Sequence, residues 1–147
     1  MDVVASVQAP CAPEVLFPWV DDLARYPKWL DIVPRAEIAA PHADDVGPAW
    51  SVDLRGRLGP FARAKRLRMV RTVHDPDRQA RFERVEHDAR QHSPWVLDAD
   101  IASVDGASRL TMRLYYGGRL WMPALDRVLA DEIERSRPRL LERLGGR

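Results

Sequence analysis

The chain has one cysteine, Cys11, so no disulfide within it can be expected, and a reducing compartment suits it. It has no apolar run approaching the ~20 residues that a membrane-spanning helix needs. Met1-Asp2 is not followed by a basic stretch and then an apolar one, so no secretory leader is expected and the protein is read as cytoplasmic. Excess charge of one sign is missing too: 23 Lys and Arg against 22 Asp and Glu give +1 net, which offers no general attraction to nucleic acid or to an anionic membrane. There is no phosphate-binding loop, no dinucleotide fingerprint and no Gly-x-Ser-x-Gly elbow. His42, His74, His87 and His92 are scattered, with no Cys or His pair at metal-ligand spacing, so neither a metal site nor a cofactor is expected.

What remains is an ordinary globular composition, 46% hydrophobic and 31% charged over 147 residues. That length suits one domain, residues 1–147, with a real core. Val3 to Gln8 alternates weakly and reads as an edge strand. Pro13 suits the first position of a helix and Glu14 favours its dipole, with Val15, Leu16, Trp19, Val20 and Leu23 on one face. Pro18 should bend or shorten that helix. After a break at Pro27, Trp29, Leu30 and Ile32 suggest a second short helix lying over an opening.

The middle of the chain reads as strands near 33–40, 49–55, 61–73, 79–87, 95–104 and 110–116, about seven with the first. Gly56, Gly59 and Pro60 mark one turn, Asp75-Pro76-Asp77 another, and Asp105-Gly106 a tight hairpin. Short turns make the sheet mostly antiparallel. A closing helix over Leu120–Leu144 carries a stripe of Trp121, Leu125, Val128, Leu129, Ile133, Leu140, Leu141 and Leu144, stopped by Gly145-Gly146. Pro138 should kink it, and its acidic-first, basic-last order follows the helix dipole. A sheet wrapped around such a helix tends to leave a cavity between the two.

Side chains expected to line that cavity are Trp50, Val52, Leu54, Met69, Phe82, Trp95, Leu97, Met112 and Leu114 from the strands, facing Leu125, Leu129 and Ile133 of the helix. Leu67, Ile101 and Leu110 share the strand face. A pocket of ~300–1,000 Å³ lined this way would take an apolar or aromatic guest. The alternative is that these side chains simply fill the space. In "QARFERVEH" (79–87), Arg84 and Glu86 share a face with Phe82 and would form an ion pair inside the sheet; a one-residue shift would bury Val85 and leave both in solvent. His87 and His92, with Arg90 between, would supply an acid or base at the rim or be solvated loop residues. Tyr115 and Tyr116 point opposite ways, and the inward one could anchor a hydroxyl or carbonyl.

Arg57, Arg63, Lys65, Arg66, Arg68 and Arg71 form a basic run. It would dock an acidic partner or a carrier's phosphopantetheine arm, or be balanced by Glu83, Asp98 and Asp100 across strands. Cys11 precedes a helix N-terminus, which can lower a thiol pKa, but with no paired histidine it is not read as a nucleophile.

The element order, together with "VDDLARYPKWLDIVPRAE" (20–37) and "SPWVLDADIASVDGASRLTMRLYY" (93–116) running into the last helix, resembles the START-like (SRPBCC) superfamily, and within it the polyketide cyclase/dehydrase branch common in actinobacteria. That resemblance implies an α+β helix-grip fold: a seven-stranded curved antiparallel sheet around a long C-terminal helix, with two short helices after the first strand. It also implies a hydrophobic small-molecule ligand of lipid, polyketide or quinone type. A polyketide aromatase/cyclase or dehydratase is the alternative; its residues would be Arg84, Glu86 and Tyr116, though no family catalytic motif is matched. A regulatory protein with a vestigial cavity and a protein partner is the third reading. Fold constrains function weakly here.

Overall fold

The structure is a computed structural model and describes residues 2–58, 61–117 and 125–146. Strand β1 (Asp2–Ala9) is followed by a one-turn helix α1 (Pro13–Leu16) that takes Pro13 at its start. Pro18 does what its missing N–H dictates: the α-helix stops at Leu16 and continues as a 3₁₀ turn, Phe17–Trp19. A second 3₁₀ segment spans Leu23–Lys28, where the Asp22 carboxylate accepts the Ala24 N–H at 2.9 Å. This second helix lies earlier than expected. Pro27 sits inside it, and Trp29, Leu30 and Ile32 follow it as buried residues of an irregular segment.

Six more strands follow: β2 (Arg35–Ile38), β3 (Ala49–Leu58), β4 (Phe61–Asp75), β5 (Gln79–Arg84), β6 (Trp95–Val104) and β7 (Ala107–Tyr116). All neighbours pair antiparallel in the order β1-β7-β6-β5-β4-β3-β2, so β1 is an edge, as its weak alternation suggested. The expected curved seven-stranded antiparallel sheet with a C-terminal helix, the helix-grip arrangement, is present.

Turn chemistry explains the clearest hairpin. Asp105 (φ 51°) and Gly106 (φ 81°) both have positive φ, as a two-residue type I′ connection requires, and Val104 lies directly across from Ala107. Gly56 does not turn the chain but pairs with Arg63 within the β3–β4 ladder; Gly59 and Pro60, the rest of the expected turn, lie outside the described residues. Strand β5 ends at Arg84, short of the expected His87. From there the backbone ladder to β4 continues only as the Val85 N–H donating to the Arg68 carbonyl at 3.0 Å, while Arg68 in turn donates its Nη1 to the Val85 carbonyl at 3.3 Å and its backbone N–H to Glu86 Oε2 at 3.4 Å.

The two faces of the sheet differ in chemistry. On the outer face Asp53 bridges Arg35 (2.9 Å) and Arg66 (2.7 Å) across three strands, and hydrogen bonds from Arg66 and then Arg35 hold its carboxyl well below the usual range. The inner face carries the core. Phe82 is fully buried, edge-on to Tyr26 (6.4 Å) and to Trp50 (5.6 Å). Tyr26 donates its hydroxyl proton to the Val20 carbonyl at 2.9 Å, and the Trp29 indole N–H donates to the Trp19 carbonyl at 3.2 Å; these bonds fasten the two 3₁₀ segments together.

Helix α2 (Leu125–Gly146) contains Pro138 and runs through the glycines expected to stop it. Residues 118–124, with Trp121, lie outside the described residues. Val128, Leu140 and Leu144 are buried, while Ile133 and Leu141 are half-buried against the core. Arg137 donates to the Ser6 carbonyl of β1 at 2.7 Å, and Arg139 pairs with Asp31, so the helix is held at an edge strand and at the segment after the second 3₁₀ turn. No helix among the described residues is long and apolar enough to cross a membrane.

Candidate functional site

A hydrophobic cavity lies on the inner face. Its walls come from Val52 and Leu54 of β3, Leu67 and Met69 of β4, Trp95 and Leu97 of β6, and Met112 and Leu114 of β7. Ile133 contributes from α2, and the roof is Leu23, Tyr26, Leu30, Ile32 and Val33. No polar atom is exposed on this lining. The concavity measures about 610 Å³ including its part open to solvent, yet only about 70 Å³ is wide enough for a water-sized body. That is well below the ~300–1,000 Å³ of an ordinary ligand pocket. Trp95, Met69 and Met112 are the bulkier or more flexible of its strand-borne lining residues.

Two residues expected on the wall lie elsewhere. Trp50 and Phe82 are buried in the aromatic cluster with Tyr26 beside the cavity and do not line it. Leu125 and Leu129 belong to α2, but their side chains lie outside the described part. Of the roof, Leu30 and Ile32 were expected to lie over an opening, whereas Leu23, Tyr26 and Val33 were not assigned to it. All five sit in 3₁₀ and irregular segments with no repeating period, the first of them capped by Asp22.

The register at 79–87 places Phe82 inward, and Arg84, two residues on, shares that face and pairs across with Met69 of the cavity wall. The Arg84 side chain is only 8% exposed; its Nε donates to Glu86 Oε2 at 2.7 Å and its Nη1 to the Ser93 carbonyl at 3.4 Å. Lys65, on the same side of β4 as Leu67 and Met69, is pushed below its usual range by burial and then by the Arg84 charge. An ionic group of Lys65, Arg84 and Glu86 thus borders the apolar cavity. Tyr116 is the inward tyrosine, buried and stacked on Trp95 at 5.3 Å, whereas Tyr115 is exposed.

The other candidates sit away from the cavity. His92 Nε2 lies 2.9 Å from both oxygens of Asp88, and His87 Nε2 lies 3.0 Å from Asp45. His42 and His87, far apart in sequence, stack with ring centroids 3.6 Å apart. Half of the basic run is paired, with Arg66 on Asp53, Arg68 on Asp45 and Arg71 on Asp21, while Asp98 pairs with Arg81; the side chains of Arg57 and Arg63 lie outside the described part. Burial pushes the Cys11 thiol up, opposite to the effect of a helix N-terminus.

Several solved structures share this architecture. A START superfamily protein from Mycobacterium smegmatis superposes with a TM-score of 0.71 at 15% identity, covering 99% of this chain and 97% of its own. The protein TTHA0849 from Thermus thermophilus gives 0.70 at 16%, covering 99% and 98%. The ginseng major latex-like protein 151 from Panax ginseng gives 0.66 at 11%, covering 97% and 95%. At such identities the likeness is one of fold. No curated protein matches the chain. The helix-grip sheet is the fold of the START superfamily protein above, and the family model described as "Polyketide cyclase / dehydrase and lipid transport" matches residues 1–145, so the chain belongs to that family.

Proposed function

We propose that this protein binds a hydrophobic small molecule, of lipid, polyketide or quinone type, in the cavity between the sheet and α2. The observation that carries the reading is the lining: residues from four strands, the roof segment and α2 converge without exposing one polar atom. Burying an apolar guest there gains ~25 cal/mol per Å² of apolar surface removed from water and leaves no wall group unsatisfied. The cavity must widen to admit it. Met69 and Met112 are the compliant part of the wall, since an unbranched thioether changes rotamer at little cost. Arg84 and Glu86 at the border would orient a polar end of the guest.

A second reading, a polyketide aromatase/cyclase or dehydratase, draws on the same Arg84–Glu86 pair with Tyr116 on the inner face. Acid–base chemistry needs such groups within reach of the bound chain. A cavity with a wholly apolar wall favours holding over turnover. The narrow free space, about 70 Å³, is what supports the third reading, an interaction protein with a vestigial cavity.

Native mass spectrometry of the purified chain, before and after denaturation and solvent extraction, tests the proposal, with an environment-sensitive apolar dye as a second probe. A bound mass lost on denaturation, or saturable dye binding abolished by Leu97→Trp, is expected. A bare mass together with no dye binding would overturn it.

A further inference from the structure

The two loops at the far end of β5 bring together a donor set that neither loop holds alone. His42 and Asp44 belong to the connection between β2 and β3, and His87 follows β5. One nitrogen from each histidine and one oxygen of Asp44 lie within 4.8 Å of one another, the only such group among the described residues. The imidazole planes are almost parallel, 6° apart. Asp44 Oδ2 stands 3.8 Å from His42 Nδ1.

A second, independent feature bears on the same group. His87 Nε2 is 3.0 Å from Oδ1 of Asp45, whose side chain is only 4% exposed. Asp45 also accepts from Arg68 Nη1 at 2.9 Å, Arg68 Nη2 at 2.6 Å and the His42 backbone N–H at 3.0 Å. A carboxylate so surrounded is ionised and acceptor-only. The proton of neutral His87 is therefore on Nε2, and Nδ1 keeps a free lone pair. A buried carboxylate that fixes the tautomer of a histidine and raises its basicity is the arrangement that stands behind ligating histidines in metal sites.

We propose that His42, Asp44 and His87 form a surface site for a divalent first-row transition ion, zinc being the reference case, with water completing the coordination. Two imidazoles and one carboxylate suit a borderline ion; calcium or magnesium would want a shell of oxygens. Bonds of ~2.0–2.2 Å require donors roughly 3.3 Å apart with the ion in the plane of each ring, so binding must unstack the parallel His42 and His87 rings, and His42 ligates through Nε2 or gives up the Asp44 N–H that its Nδ1 accepts at 3.1 Å. The ion would tie the β2–β3 loop to the segment after Glu86 and so brace the end of β5 that carries Arg84. Nothing in this site touches the cavity lining, so it stands or falls independently of the ligand reading.

The test is a titration of zinc chloride into the tag-free full-length chain, stripped with chelator and followed by calorimetry. One equivalent should bind, and the melting temperature should rise with zinc. His42→Ala and His87→Ala should each weaken binding at least tenfold. Asp45→Asn, which removes no ligand, should weaken it about 10- to 100-fold. His92→Ala, whose partner is Asp88, should bind as the parent does. Circular dichroism in EDTA checks each fold, and if His87→Ala does not fold, the exposed His42 variant alone decides. Absence of one-to-one binding, parental affinity in the His42 variant, or an equal loss in His92→Ala would overturn the proposal.

Discussion

Replacing Asp45 by Asn should be the most damaging change of a single charge on the outer surface. The carboxylate accepts two bonds from Arg68, one from His87 and one from the His42 amide, with its own side chain 4% and that of Arg68 16% exposed. Breaking a buried ion pair costs about 3–5 kcal/mol. Arg68 here keeps the carbonyls of Ala40 (3.0 Å) and Val85 (3.3 Å) as acceptors and some solvent, so a loss of about 2–3 kcal/mol is expected. For a chain of this size that is a fall of ~5–10 °C in Tm. Urea unfolding in EDTA at neutral pH would read it as a lower midpoint with unchanged slope. The pH dependence is the sharper check. Hydrogen bonds from Arg68, then from His87 and the His42 amide, hold the Asp45 carboxyl below its ordinary range in the folded chain. A depressed carboxyl contributes stability that is fully present above the unfolded value near ~3.9 and is lost as pH falls toward the folded one. The gap between parent and Asp45→Asn should therefore shrink below about pH 4. A loss under ~0.5 kcal/mol, or a gap that does not close in acid, would refute the reasoning.

Two further changes probe the scaffold around the cavity. Tyr26→Phe strands the buried Val20 carbonyl and should cost about 1–2 kcal/mol in a thermal or urea melt, although it removes one atom. Gly47→Ala would drive a Cβ into the Arg71 carbonyl, so either the β2–β3 loop or β4 must shift; about 1–3 kcal/mol is expected, and a neutral result would mean the loop moves freely.

Legibility in the sequence followed how local each determinant is. In the β6–β7 hairpin, β6 and the Asp105-Gly106 turn match the sequence reading to the residue, while β7 starts at Ala107, three residues before the expected Leu110; alternation and turn chemistry all act within a few positions here. The end of β5 was misjudged because alternation continues through Val85 and Glu86 while the ladder does not. Pairing stops where the chain leaves β4 to meet the β2–β3 loop, a partner roughly 40 residues away with no mark in the local pattern. The second helix begins earlier than the sequence pattern predicts, because Pro27, a breaker of α-helices, is accommodated within a short 3₁₀ segment. The His42–His87 pair lay beyond any local pattern: stacking at 3.6 Å follows only from the register of β5 beside β4 and the span of the loop. The strand walls of the cavity obey the period of two; its roof, from Leu23 to Val33, obeys none.

That register makes Arg84 and Glu86 the point at which binding and turnover can be told apart. Both side chains are mostly covered, at 8% and 18% exposed, and they meet at 2.7 Å beside an apolar wall. If their role is to complete the fold, the pair should be replaceable. Glu86→Gln alone would leave the Arg84 guanidinium with only neutral acceptors, the new amide carbonyl and the Ser93 carbonyl at 3.4 Å, at a cost of about 2–3 kcal/mol. The double change Arg84→Met with Glu86→Leu should recover most of that loss, because the Arg84 charge leaves together with its partner and its repulsion of Lys65 goes with it. A guest held by its apolar body would still bind the double variant, with its affinity within about tenfold of the parent's, as the loss of one polar contact allows. A guest gripped through an anionic or carbonyl end would lose far more. Turnover that needs Glu86 as an acid or base would vanish in Glu86→Gln even where binding survives. Measuring unfolding and ligand affinity on the parent and both variants separates these cases, and a double variant no more stable than Glu86→Gln would show that the pair is not the mutually neutralising unit inferred from its geometry.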